Sequence, residues 1–422
     1  MAASPLISCG RPWSSANHPV SAIQTDPNRM TASERRASVS LALIFALRML
    51  GLFIVLPVFA LEARRYPGGD DAALVGLAMG VYGLSQALLQ IPFGMASDRL
   101  GRKPVILAGL ALFALGSGIA VWAPSVQWLI AGRAIQGAGA ISAAVTALIA
   151  DSTRDSVRTK AMALVGVSIA LMFALSLVLS PLLAEQIGLR GLFGLTTALA
   201  LAGMAIVAWV VPAEPALQRK AGRGGLRQVL AHPGLLRLDF GVFALHAVQL
   251  ALWMAVPAVL VQAGLAAGQH WQVYLPAVVL SFLVMGGVLF RLERKGHLRA
   301  VFLFSIGLIL LVQLSLLALG DSASVWAVAA LLCLFFTGFN MLEASQPSLV
   351  SRLAEPAHRG TALGVYNTLQ SLGFFVGGAV GGWLAKAQGS VGIFMACAAL
   401  TLLWLLLAWP MKAPVVAGPV RH

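Results

Sequence analysis

Charge is scarce in this 422-residue chain, with only 10% of positions Asp, Glu, Lys or Arg. A soluble domain carries about 25%, so an ordinary water-facing surface cannot be built from it. Acids are scarcest, 15 against 29 basic residues. The three cysteines, Cys9, Cys333 and Cys397, stand in no metal-binding or disulfide spacing. There is no phosphate-cradling Gly-x-x-x-x-Gly-Lys loop, no His-rich metal spacing and no nucleophile elbow. These absences argue against an ATP-driven pump and a membrane enzyme, and no metal or cofactor is expected. Residues 1–38 lack the apolar core of a secretory signal peptide. They are rich in Ser, Pro and Asn and read as a disordered cytoplasmic tail. Within it, the stretch from Met30 to Arg36 looks like a natural beginning, so intact mass is expected to show a start at Met30.

What is abundant is apolar surface, 59% of residues, and it runs in blocks. Ser40 to Leu61 contains one charge, Arg48, and Ala72 to Ser97 contains none. A helix needs about 20 apolar residues to cross the hydrocarbon layer, and lipid excludes open sheet edges. The pattern predicts an all-α membrane protein with helices at 39–62, 72–97, 103–122, 126–150, 159–185, 190–211, 237–263, 270–291, 298–319, 324–350, 360–385 and 390–410. The domain reading is a six-helix bundle over 39–211, a cytoplasmic linker over 212–236, a second six-helix bundle over 237–411 and a short cytoplasmic tail over 412–422.

The formal charge of +14 raises the question of nucleic-acid binding, and the placement of the basic residues answers it. Nearly all lie in the tails and in the loops after the second, fourth, sixth, eighth and tenth helices. The other side holds only Arg64, Arg65, Arg190 and Lys386. Such asymmetry marks the cytoplasmic side of a membrane protein. Both termini are therefore expected inside, with lipid and not nucleic acid as the partner. The chain also repeats itself: at one constant offset, Gly137, Arg158, Ala161, Gly188, Gly191 and Phe193 fall on Gly338, Arg359, Ala362, Gly389, Gly392 and Phe394. Two parallel repeats of this kind place a substrate site near the midplane between them.

The loop between the second and third helices carries Gly94, Asp98, Arg99, Gly101, Arg102 and Lys103. It resembles the signature loop of the major facilitator superfamily, G-x-x-x-D-R-x-G-R-K. In the fourth helix, Arg133, Gln136, Gly137 and Gly139 resemble the R-x-x-Q-G-x-G-A motif of that superfamily's proton-driven drug exporters. Glu34-Arg35-Arg36, the run from Phe45 to Phe53 and Leu56-Pro57-Val58-Phe59 resemble its YajR-like branch of twelve-helix exporters. The resemblance covers nearly the whole chain from Met30 onward. It implies two pseudo-symmetric six-helix bundles and a conformational latch of Asp98, Arg102 and Asp151; an anionic Asp98 also suits the positive start of a neighbouring helix, the eleventh. The glycine-rich exporter motif of the fifth helix is replaced here by a stretch around Ser176, Ser180 and Pro181. The glycines stand on its symmetry mate, including Gly377 and Gly381, where close helix packing is expected.

Charges near the bilayer centre cost at least about 2.5–3.5 kcal/mol on insertion scales. Arg48, Arg133 and Glu343 are the clear cases, and Asn340 shares a helix face with Glu343. His246 lies in the seventh helix, with Gln249 nearby. Arg133 and Glu343 are expected to face a central cavity, with Gln136 and Asn340 supplying hydrogen bonds. A structural ion pair with an arginine is the plain alternative for Glu343, and a packing role is the plain alternative for His246. Glu62 is expected to be solvated. Trp253, Tyr274, Phe335, Phe336, Phe339 and Tyr366 are candidates for lining a pocket. The resulting expectation is a bacterial inner-membrane transporter that exports a small drug-like or amphipathic molecule against protons. Proton-independent metabolite transport and a non-transporting membrane sensor are the alternatives.

Overall fold

The computed structural model describes residues 29–214, 226–294, 297–355 and 358–411. Ten of the described helices are long and apolar enough to cross a membrane. Two of these are double: Asp155–Trp209 breaks at Gly188 (φ 62°), and Arg359–Ala408 breaks at Gly389 (φ 67°). L-residues with a side chain avoid that left-handed conformation. The two symmetry-related glycines therefore turn the chain with no intervening loop. Twelve spans result.

The first span is Ala32–Phe53 continued by Leu56–Glu62, the second Ala72–Leu100 and the third Arg102–Val121. The fourth is Val126–Ala138 continued by Ser142–Asp151, and the fifth and sixth are 155–187 and 189–209. The seventh is Pro233–Gln262, the eighth Trp271–Arg294, the ninth Leu298–Leu319 and the tenth Val325–Leu353. The eleventh and twelfth are 359–388 and 390–408.

Two domain boundaries need correction. The first span begins at Ala32, inside the stretch read as a tail. Thr31 accepts from the Glu34 N–H, and the Glu34 carboxylate accepts from the Thr31 N–H. This capping box starts the helix while Glu34, Arg35 and Arg36 are still polar. The stretch read as a linker contains a short helix, Leu226–Ala231, and the start of the seventh span at Pro233. Residues 1–28, 215–225 and 412–422, and Cys9 with them, lie outside the described residues.

The described chain ends, Arg29 and Met411, lie on one side, here called the basic face; the other is the far face. On the basic face each half is tied shut. Arg36 Nε donates to the Val210 carbonyl at 3.1 Å, and Lys103 Nζ donates to Val211 at 2.7 Å. In the second half, Arg299 donates from Nε to Met411 and from Nη2 to Trp409. These bonds use the carbonyls that a helix end leaves unpaired.

On the far face the halves meet closely. Gly76 and Gly80 of the second span lie against Gly378, Gly382 and Phe375 of the eleventh. A Cβ on Gly76 would stand 2.3 Å from the Gly378 carbonyl oxygen. Small residues at helical spacing let two backbones touch. Lys386 and Asp71 add an ion pair at 2.8 Å, and the Glu185 carboxylate lies against the turn Ala267–Gln269. Toward the basic face several glycines have no neighbour at the position a Cβ would take. Gly360 and Gly364 of the eleventh span, Gly166 of the fifth, and Gly286 and Gly287 of the eighth all face open space. The glycines on the symmetry mate of the fifth span lie against the seventh. Gly377 sits on the Ala247 backbone and Gly381 on Ala251. Pro181 is buried within the fifth span, and Gly137 lies against the Tyr82 carbonyl.

Candidate functional site: a buried polar seam between two bundles

The first half gathers its two membrane-buried arginines around Tyr82. Arg48, 1% exposed, donates from Nη2 to the Tyr82 hydroxyl at 2.9 Å and to the Gly139 carbonyl at 3.1 Å. The second bond serves the break in the fourth span at residues 139–141, where a carbonyl has lost its helical partner. Arg48 also lies over the Phe113 ring, and its Nε and Nη1 are left without partners. Arg133 is equally buried and lies over the Tyr82 ring. It donates to the carbonyls of Ala78 and Met79 and, at 2.8 Å, to Gln136 Oε1. Gln136 passes the network on to Ser117 at 2.9 Å. With Leu52, Leu56, Met79, Tyr82, Leu250 and Phe374, Arg133 lines a small cavity at the seam. Residues of both halves thus enclose it.

In the second half, His246 of the seventh span, Glu343 of the tenth and Gln370 of the eleventh converge. His246 Nδ1 lies 2.9 Å from the Val242 carbonyl, so this nitrogen carries the hydrogen and Nε2 is left as an acceptor. The Gln370 amide donates to Nε2 at 2.8 Å and to Glu343 Oε1 at 3.4 Å. Glu343 Oε2 stands 3.4 Å from Nε2 without hydrogen-bond alignment. The geometry is that of a neutral imidazole and a carboxylate bridged by one amide, with no proton between them. One proton arriving at Nε2 or Oε2 would convert this contact into a charge-assisted hydrogen bond. The Glu343 side chain is 39% exposed while His246 is enclosed at 3%, so the carboxylate is the accessible member. Its partner is a histidine, which departs from the arginine pair considered from sequence.

Asn340 is placed differently from expectation: its amide donates to Ser281 of the eighth span at 2.7 Å. His246 packs edge-on to Phe374 at 4.8 Å and to Phe339 at 5.8 Å. Phe374 thereby separates the imidazole from the Arg133 cavity. Phe173 of the fifth span joins the halves, touching Phe53 at 5.2 Å, Phe336 at 5.9 Å and Phe339 at 6.3 Å. Of the aromatic candidates, Phe335, Phe336 and Phe339 belong to this seam. Trp253 and Tyr274 pack on each other, and Tyr366 is buried beside the acids.

At the basic face, Arg102 holds the signature loop together. It pairs with Asp98, donates to Asp151 at 3.1 Å and donates to Ser97 at 2.8 Å. Gly101, at φ 103°, makes the turn, and Gly94 faces Ala143. Arg99 lies in the last turn of the second span. Asp98 keeps 64% of its side chain exposed, so its partner here is Arg102 and not the start of the eleventh span.

Sequence reasoning missed two acids and misread a third. Asp239 is 3% exposed with neither carboxylate oxygen partnered. It sits nearly two turns inside the seventh span, close enough to its basic end to pass for a solvated residue. Glu214 accepts backbone bonds from Arg102 and Lys103. Glu62 is buried and pairs with Arg65 at 3.0 Å instead of facing water.

Comparison with known proteins places the arrangement. The family model described as Major Facilitator Superfamily matches residues 41–378. The chain is 43% identical to the inner membrane transport protein YajR of Escherichia coli K12, over 93% of this chain and 87% of that one. It is 29% identical to the multidrug resistance protein MdtH of Aeromonas salmonicida, over 83% of this chain and 88% of that one. Among solved structures, the human organic anion transporter MFSD10 shares the fold, with a TM-score of 0.67 at 19% identity over 90% of this chain and all of that one.

Proposed function

The chain belongs to the major facilitator superfamily, and we propose that this secondary transporter exports a small drug-like or amphipathic molecule across a bacterial inner membrane in exchange for protons. The basic face is cytoplasmic in this reading, because Lys and Arg collect on that side. Both termini are then inside, and the present state, closed on the far face, is inward-facing. The YajR-like and MdtH-like relatives support the inner membrane and the export direction.

The observation that carries proton coupling is the His246–Glu343–Gln370 cluster. An accessible carboxylate lies 3.4 Å from an enclosed imidazole. Holding or losing one proton changes the charge of the pair beside the aromatic seam. The equilibrium between two conformations responds only to such a difference between states. Arg133, held by Gln136, and Arg48 keep the first half cationic across the seam, while Asn340 fixes the tenth span against the eighth. Asp98, Arg102 and Asp151, with Arg99, Lys103 and the turn glycines Gly94 and Gly101, act as the latch of the outward-open state. In that state the eleventh span closes onto Asp98.

The test is flux in proteoliposomes under an imposed pH gradient, screened over lipophilic and amphipathic compounds. Gradient-driven flux is expected in the wild type and is expected to be lost in Glu343→Gln. Equal gradient-driven flux in both would remove the proton-carrier role.

A further inference from the structure

The third span starts without a cap of its own. Its N-cap is Gly101, which has no side chain to offer. The first N–H groups of a helix need acceptors from elsewhere. Glu214, just beyond the sixth span, supplies them. Its Oε2 accepts from the Arg102 N–H at 2.9 Å, and its Oε1 accepts from the Lys103 N–H at 2.5 Å. A carboxylate here also meets the positive end of the helix dipole. The left-handed Gly101 leaves room for it, since a Cβ there would lie 3.3 Å from Glu214 Oε2. Lys103 Nζ holds the same stretch of chain at the Val211 carbonyl.

Arg102 is thus gripped at both ends. Its backbone amide is held by Glu214, and its guanidinium holds Ser97, Asp98 and Asp151. We propose that Glu214 is the positioning residue of the latch. It fixes the helix start from which Arg102 projects, and so ties the entry of the connection between the bundles to the charge cluster on the second, third and fourth spans. The inference rests on the latch reading above.

The second half has the basic part of this device without the acid. Arg299, in the first turn of the ninth span, holds the Met411 and Trp409 carbonyls much as Lys103 holds Val211. The N-cap of that span is His297, with no side-chain cap, and among the described residues no acid accepts its first N–H groups. Among the described residues the carboxylate clamp therefore stands on the half that carries the full signature loop.

The test uses the full chain in lipid nanodiscs, its native cysteines replaced, with spin labels at Leu100 and Gly360 on the basic-face ends of the second and eleventh spans. Their distance distribution reports the close and distant populations without any substrate or flux. Glu214→Ala is expected to shift the ratio about tenfold toward the distant state, the lower end for losing a hydrogen bond to a charged acceptor. Arg102→Gln is expected to do the same, and the double variant no more than either, because both act through one residue. If Glu214→Ala does not insert, Glu214→Gln, which keeps an acceptor oxygen without charge, is expected to show a smaller shift in the same direction. An unchanged distribution in the Glu214 variants, or shifts that add in the double variant, would overturn the proposal. A silent Arg102→Gln would remove the latch itself, a result distinct from silence at Glu214 alone. Proton-independent flux would leave this readout untouched.

Discussion

The Asp71 carboxylate meets the Lys386 ammonium at 2.8 Å, joining the first turn of the second span to the far-face end of the eleventh. The same carboxylate caps its own helix, accepting from the Ala73 N–H at 2.9 Å. The hydrogen bond from Lys386 holds the Asp71 carboxyl below its ordinary value. A depressed value means the contribution is present above the ordinary carboxylate range and is lost only as pH falls through the lowered one. Far-face closure is therefore expected to be insensitive to pH from neutral down to about pH 5. Asp71→Asn is expected to loosen it throughout that range. The readout is the reaction rate of a membrane-impermeant thiol reagent with a cysteine placed at Ala72. A wild-type rate that climbs between neutral and mildly acid pH would contradict the assignment.

Gly76 is a sharper test of the same closure. A Cβ there would stand 2.3 Å from one backbone atom and 2.5 Å from another on the eleventh span, and backbone cannot swing aside. Gly76→Val is expected to disfavour the present state by about 1–3 kcal/mol, the usual cost of overpacking. Cross-linking between cysteines on the far-face ends of the second and eleventh spans is expected to fall accordingly.

Gly188 and Gly389 separate backbone strain from packing. A Cβ would meet only Glu62 Oε2, at 3.9 Å, in the first case and nothing in the second. Alanine at either position must still adopt the left-handed conformation. Each substitution is expected to destabilise the protein by about 1–2 kcal/mol, read as a lowered midpoint of thermal unfolding in detergent. Similar losses at the two sites would confirm that they are equivalent elbows.

His246→Phe keeps an aromatic ring between Phe339 and Phe374 while removing both nitrogens. Membrane insertion and stability are expected to stay near wild type. The pH profile of flux is expected to lose the step that depends on the imidazole. A profile identical to wild type would assign His246 to packing alone.

Hydropathy made the spans legible, because lipid leaves helices little alternative. The repeat was legible too: its offset pairs Gly188 with Gly389, and both take the same left-handed turn. The start of the first span was obscured by its own charges, although Thr31 and Glu34 carry a capping-box spacing that announces it. Which helix faces meet is a different kind of information. His246, Glu343 and Gln370 lie on three spans, and no periodicity along one helix says that their side chains converge. Glu214 was harder still, because its partners are 112 and 111 residues away and its own neighbourhood is an unremarkable stretch after a proline.

The bonds from Arg36 and Lys103 to the end of the sixth span, and from Arg299 to the end of the twelfth, make each half a hoop fastened at its seam. A hoop so fastened shares any torque among all its members. Individual helices then have little freedom to slide, and the motion left to the molecule is the tilt of one whole hoop against the other. Ligand energy released anywhere on the inner wall of either hoop is delivered to that single coordinate.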